Sequence, residues 1–280
     1  YTADFETNVS EEDCRVWAYA ICEIGNPENI IIGNDIEDFI KWCSNKKQNP
    51  VLYFHNLKFD SEYIISYLLN NGYKVIKDKK DRESQTFTTV ITDMGQFYAL
   101  EIYFEVGKKK VNKVTIYDSL KLINKSVEDI AKDFNLPINK LNLDYKRIRE
   151  KGYILKDYEI RYIKHDVQIM ALALESLFDE GLTKMTIGSN AISNYRKSLK
   201  YFMTYFPILP IEIDKDIRQS YKGGFTYLNP IYKDKIVNNI MVLDVNSLYP
   251  SVMVDSVLPH GKPIPFKGKY TEDKFYPLYV

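Results

Sequence analysis

The stretch Tyr1-Thr2-Ala3-Asp4-Phe5-Glu6-Thr7 decides how the rest of the chain is read. Apolar Ala3 and Phe5 alternate with acidic Asp4 and Glu6, the period-2 pattern of a β-strand. Residues i and i+2 of a strand share a face, so both carboxylates project together while Phe5 faces a core. Adjacent carboxylates repel unless something positive lies between them, and a divalent cation is the usual answer. Taken alone, a solvated strand face explains the pair better, so the reading depends on what other acids the chain brings to this edge.

Two later segments supply them. Val51–Phe54 is a short apolar strand running into His55-Asn56-Leu57-Lys58-Phe59-Asp60, ahead of a helix read at Glu62–Asn71 and closed by Gly72. On its own, Asp60 reads as that helix's N-cap. Tyr162-Ile163-Lys164-His165-Asp166 lies on the longest helical pattern, Asp157–Phe178, which stops near Gly181. Tyr162 and Asp166 are i and i+4 and share a face. Further strands are read at 15–24 and Val111–Tyr117, a hairpin at Thr86–Thr92 and Gln96–Phe104 about Asp93-Met94-Gly95, and a helix at Ser126–Phe134 capped by Ser126. Strands with helices between and after them predict an α/β sheet domain over residues 1–182.

Residues 183–280 form a second unit. Ala191–Phe206 reads as a helix ended by Pro207 and Pro210, Tyr221-Lys222-Gly223-Gly224-Phe225 as a turn, and Ile240–Asp244 as a buried strand. Asp214-Lys215-Asp216 has the look of a metal site but is read as the start of a short helix.

Composition sets outer bounds. The 280 residues carry 38 basic and 38 acidic side chains, so attraction to phosphate must come from local patches. Lys108, Lys109, Lys110 and Lys113 are one candidate patch, and Lys146, Arg147, Arg149 and Lys151 another. The 23 tyrosines fit base stacking as well as ordinary cores. Cys14, Cys22 and Cys43 make neither a zinc pattern nor a disulfide framework, which fits a reducing, cytoplasmic setting. No apolar run approaches the ~20 residues of a membrane span. Both ends fall inside apolar or strand-like stretches, the expectation for a piece of a longer chain.

Strand D-x-E, then N-x-x-F-D, then Y-x-x-x-D resembles, in order and spacing, the three exonuclease motifs of the DEDD nucleases. The segments Asp4–Thr7, Tyr53–Asp60, Tyr117-Asp118-Ser119-Leu120 and Tyr162–Asp166 resemble, more narrowly, protein-primed family B DNA polymerases of bacteriophages and linear plasmids. Tyr221-Lys222-Gly223-Gly224 is similar to that family's Y-x-G-G motif, and Asp244-Val245-Asn246-Ser247-Leu248-Tyr249-Pro250 to its motif A. The resemblance implies an RNase H-like 3′–5′ exonuclease domain followed by the beginning of a palm domain. It implies two-metal chemistry with Mg²⁺ or Mn²⁺ held by Asp4, Glu6, Asp60 and Asp166, and Tyr162 orienting the attacking water. It implies that Thr7, His55, Asn56, Phe59, Ser119 and Leu120 bind single-stranded DNA, and that Lys140 steadies the scissile phosphate. Tyr221, Gly223 and Gly224 would contact template DNA. Asp244 and Val245 would hold the polymerase metal, and Tyr249 would bind the incoming dNTP. By residue type alone, His55 reads rather as a core histidine.

The resemblance further implies DNA, dNTPs and a terminal-protein primer as partners, in the host cytoplasm if the gene is a phage's. The family's second catalytic motif, D-T-D, does not occur in this sequence, so these residues alone are expected to keep exonuclease and DNA binding rather than polymerisation. A stand-alone DEDD exonuclease would have no use for Y-x-G-G or motif A. A non-catalytic DNA-binding module would not need all four acids.

Overall fold

The computed structural model describes residues 1–10, 13–108, 110–266 and 268–269, and comprises two compact units, Tyr1–Asn194 and Tyr195–Val280. Lys109 of the first basic run lies outside the described residues. The first unit ends later than the expected residue 182.

An 8-stranded mixed sheet organises the first unit. Its strands are β1 (Thr2–Val9), β2 (Cys14–Glu23), β3 (Asn26–Gly33), β4 (Val51–Phe54), β5 (Lys74–Val75), β6 (Thr86–Ile91), β7 (Phe97–Val106) and β8 (Val111–Asp118). Their order is β3-β2-β1-β4-β8-β7-β6-β5. Parallel pairings set Thr2, at the start of β1, beside Tyr53 of β4, and Phe54, at the end of β4, opposite Asp118 at the end of β8.

Helices cover both faces. Helices α1 (Ile36–Asn45) and α2 (Leu57–Asn70) bury Phe39, Ile40, Ile64 and Leu68 against Ala3, Phe5, Leu52 and Phe54. The Phe5 ring meets Phe39 and Phe54 edge-on, at 4.8 and 5.0 Å between centroids. On the other face lie α3 (Val127–Asp133) and α4 (Asp157–Asp179). Small Ala18, Ala20 and Cys22 of β2 let α4 come close with Tyr162, Ile163, Val167 and Ala171. Because Phe5 packs beneath α1, Asp4 and Glu6 necessarily face α4.

A bulge interrupts this alternation. Glu6 pairs with Ala18 but Thr7 pairs with Val16, which leaves Trp17 as an extra residue in β2. Trp17 and Ala18, though adjacent, therefore both pack on the α4 face, while Val16 and Tyr19 pack on the other.

Several elements differ from expectation. Strand β3 and helix α1 lie outside the expected set. Helix α2 begins at Leu57, not Glu62, and so contains Asp60 within its first turn. The local N-cap is replaced by a distant one: Asn56 turns the chain with φ 70°, and Asp118 Oδ1 accepts the backbone N–H of Asn56 at 3.0 Å and of Leu57 at 3.3 Å.

The helix expected over 191–206 is two, α5 (Ile187–Ser198) and α6 (Phe202–Tyr205), separated where Tyr201 takes the left-handed conformation. Asp214 and Asp216 lie inside α7 (Ile211–Ser220), with Asp214 paired to Arg218 one turn on. Tyr221–Phe225 is not a turn: the chain leaves α7 extended at Tyr221, and neither Gly223 nor Gly224 has positive φ.

Nor do residues 240–244 form a buried strand; Leu243 is 84 % exposed. A strand needs a neighbour for its backbone groups, and the described residues of this unit provide none. The last helix among the described residues, α8 (Leu248–Asp255), follows directly.

Candidate active site

Parallel β1 and helix α4 bring the acids together. Single oxygens of Asp4, Glu6 and Asp166 lie within 4.8 Å of one another, the one metal-competent acidic cluster among the described residues. Glu6 and Asp166 are buried, and Asp166 Oδ1 has no hydrogen-bond partner. Three carboxylates crowded together, one with a buried and unsatisfied oxygen, match the needs of a hard divalent cation. Asp60 is buried on α2, outside that cluster but close enough for the Asp4 charge to raise its proton affinity and for its own charge to raise that of Glu6.

Electrostatics agree with this reading. Burial, and then the Asp166 charge, push Asp4 up to about 7. Burial followed by Asp4 and Asp166 holds Glu6 well above the carboxylate range, and burial followed by Asp4 does the same for Asp60. Burial works against the Lys140 charge, but Asp166 outweighs it and holds the ammonium above its usual value. Lys140 Nζ lies 2.6 Å from Asp166 Oδ2 and 5.4 Å from the centre of the Tyr162 ring.

Burial and the nearby acids raise the Tyr162 phenol far above its ordinary range. It therefore stays protonated and is suited to donate a hydrogen bond rather than to act as a base. Its hydroxyl is 2.6 Å from that of Tyr145. Asp4, Phe5, Glu6, Thr7, Phe59, Lys140, Tyr145, Tyr162 and Asp166 line one open cleft of about 350 Å³. Phe59 is 43 % exposed there, with Tyr63 behind it at 5.6 Å between ring centroids.

The other expected strand-binding residues gather around Asp118. Its Oδ1 also accepts the Leu120 N–H, at 3.1 Å, so one carboxylate fixes the Asn56 and Leu120 segments together. Both His55 nitrogens are engaged, Nδ1 with Ser119 Oγ at 3.1 Å and Nε2 with the Lys125 carbonyl at 2.8 Å. Burial lowers this histidine's proton affinity. In the second unit, Tyr221, Gly223, Gly224, Asp244, Val245 and Tyr249 are exposed. A Cβ on Gly224 would stand 3.4 Å from the Tyr249 hydroxyl, so the Y-x-G-G and motif A segments are neighbours.

Residue types alone did not point to Asp118 or Tyr145. A lone acid ending a strand and a tyrosine in a loop carry no periodic signal. Arg149 needs a correction: it is no phosphate-facing surface charge but is 1 % exposed and paired with Glu159. A short basic run on a loop gives no sign that one member turns inward. All three cysteines are free, and no helix among the described residues is long and apolar enough to cross a membrane.

A family model described as DNA polymerase type B, organellar and viral, matches residues 42–279. The chain therefore belongs to the organellar and viral type B DNA polymerases. It is 45 % identical to the DNA polymerase of Bacillus phage B103, across 100 % of this chain and 48 % of that protein. Phi29 DNA polymerase complexed with primer-template DNA and incoming nucleotide substrates matches with a TM-score of 0.87 and 41 % identity, over 96 % of this chain and 47 % of that one. The same polymerase complexed with single-stranded DNA matches with a TM-score of 0.83 and 42 % identity, over 96 % and 47 %. This is the family that the sequence motifs implied, and the likeness bears out the mixed α/β exonuclease fold with the start of a palm. The chain spans about half the length of the curated relatives it matches.

Proposed function

We propose that the first unit removes nucleotides from the 3′ end of single-stranded DNA, as the proofreading half of a protein-primed DNA polymerase. The observation that carries the reading is the convergence of Asp4, Glu6 and Asp166 oxygens within 4.8 Å in an open cleft. Mg²⁺ or Mn²⁺ held by these acids, with Asp60 beside them, would lower the pKa of the attacking water and stabilise the departing 3′ oxygen.

The protein's own groups do the rest. Tyr162, kept protonated, orients the water by a hydrogen bond. Lys140 offers its ammonium to the scissile phosphate. Phe59 stacks on the terminal nucleotides while Thr7 hydrogen-bonds beside it, and Asn56, Ser119, Leu120 and His55 form the strand's further seat. Phi29 polymerase complexed with single-stranded DNA supports such a seat here.

The polymerase half is read from the second unit. Tyr221, Gly223 and Gly224 contact template phosphates, where glycine lets the backbone come close. Asp244 and the Val245 carbonyl would hold the metal that accompanies an incoming dNTP, and Tyr249 packs under its sugar. A terminal protein supplies the priming hydroxyl, and the work is done in the host cytoplasm. The family match through residue 279 favours this over a stand-alone exonuclease.

The test is a 5′-labelled oligonucleotide with Mg²⁺. Wild type should produce a 3′-shortening ladder, and Asp4→Ala with Asp166→Ala should remove it while circular dichroism stays unchanged. Shortening at the wild-type rate by the double variant would sink the assignment.

A further inference from the structure

We infer that Arg149 is a positioning residue for the exonuclease site: its buried guanidinium holds the segment that delivers Tyr145 and Lys140 to the cleft. The inference rests on the exonuclease reading above and names a part of its machinery that no motif marks.

Residues 134–156 form neither helix nor strand, yet they carry two groups of the cleft. Tyr145 is 66 % exposed, so packing does not fix its ring. Where its hydroxyl lands, 2.6 Å from Tyr162, depends on the backbone on either side. Arg149 Nη1 donates to the carbonyl of Asp144, the residue before Tyr145, at 2.9 Å, and to that of Arg147 at 2.7 Å. Its Nε donates to Glu159 Oε1 of α4 at 3.0 Å. The guanidinium lies over the Trp17 ring, 4.2 Å from its centre. Its own backbone is tied to β1: Asn8 Nδ2 donates to the Arg149 carbonyl at 2.7 Å, and the Arg149 N–H donates to Asn8 Oδ1 at 3.2 Å. Arg15 donates to the same carbonyl. At the other end of the segment, His165 Nδ1 meets the Asn139 carbonyl at 2.8 Å, beside Lys140.

One residue thus links the Tyr145 segment through its backbone to the strand that carries Asp4 and Glu6, and through its side chain to the helix that carries Tyr162 and Asp166. Stability alone accounts poorly for it. A buried ion pair loses much of its Coulomb gain to desolvation, and Nη2 stays without a hydrogen bond although it lies 3.0 Å from Glu159 Oε1. The fork geometry is what the site uses. A lysine keeps the charge but cannot reach two carbonyls and a carboxylate in fixed directions.

The experiment compares single-strand 3′ degradation by the whole 280-residue chain as wild type, Arg149→Lys, Tyr145→Phe and the double variant. Ile102→Val, in the core under the opposite face, serves as a control for lost melting temperature. Arg149→Lys should lower kcat about tenfold or more, the scale of a misplaced group, with KM within about twofold. In the Tyr145→Phe background the same change should cost much less, because the two act in series. An unchanged kcat, a fully additive double variant, or an equal loss in the control would overturn the inference. Should Arg149→Lys fail to fold, Glu159→Gln, which keeps the shape and removes the charge, is judged by the same criteria. A wild type that degrades nothing would instead bring down the exonuclease reading itself.

Discussion

Asp118 Oδ1 lies 3.0 Å from the backbone nitrogen of Asn56, 62 positions earlier in the chain. The end of β8 thereby caps the helix that follows β4. Leu57 and Leu120 donate to the same oxygen, and Lys121 approaches the other at 3.6 Å. Asp118→Ala would leave three N–H groups without their acceptor. It should cost about 2–4 kcal/mol in urea unfolding, and Asp118→Asn, which keeps an acceptor, clearly less. Single-strand degradation should fall in the alanine variant, where the Asn56 and Leu120 segments lose their common anchor, and less in Asp118→Asn. Equal stability of the alanine variant and wild type would refute the cap.

The acids make the metal-free protein respond to pH in a fixed direction. Asp4 is pushed from 3.8 up to about 7, so between those values the folded state binds more protons than the unfolded. Stability from this group is complete below about 4 and is lost as pH rises through about 7. Melting temperature in EDTA should therefore drop over that window, and Mg²⁺ should restore it most at the alkaline end. Asp4→Asn should flatten both trends. A metal-free protein that gains stability as pH rises from about 4 to about 7, with a slope that Asp4→Asn leaves unchanged, would contradict the clustered site.

Phe59 is accessible and backed by Tyr63, so its loss should be felt by DNA more than by the fold. Phe59→Ala should weaken single-strand binding by ~1–3 kcal/mol, a stacking-sized loss. Fluorescence anisotropy in Ca²⁺ or EDTA gives the affinity without degradation. Unchanged affinity together with a lower melting temperature would make Phe59 a packing residue only.

Asp244 is exposed and stands in the second unit. Asp244→Asn should leave exonuclease rate and single-strand affinity of this chain within about twofold of wild type, as for a surface change away from the cleft. In a chain extended to the length of its relatives, the same change should abolish nucleotide incorporation and spare degradation. Normal primer extension by that variant would remove the motif A assignment.

Local patterns made much of this architecture legible. Val51–Phe54 has the bounds its apolar run suggests, and the hairpin closes at Gly95 with positive φ. Ser126 caps α3 by accepting the Asp129 N–H. Leu182 N–H returns to the Leu177 carbonyl beyond Gly181, the end the sequence marks for α4. The i and i+2 rule put Asp4 and Glu6 on one face because Phe5 had to be buried.

What escaped depends on contacts distant in sequence. The start of α2 moved because its cap comes from β8. Arg149 reads as a surface charge until Glu159 and Trp17 close around it. Residues 240–244 read as a strand from composition, but composition cannot supply the neighbouring strand.

The extra residue in β2 makes residue count matter more here than residue identity. Trp17 reaches Arg149 because one surplus position reverses the facing of the strand between Val16 and Ala18. Aromatic replacements at Trp17 keep that reversal and should be tolerated by the fold. Deleting Trp17 removes it and restores regular alternation, with Val16 and Arg15 paired as before but the ring over Arg149 gone. In a lineage of such chains, substitutions should accumulate across this strand while its length stays fixed, and a one-residue gap there should signal loss of the proposed 3′ degradation even where Asp4, Glu6 and Asp166 are retained.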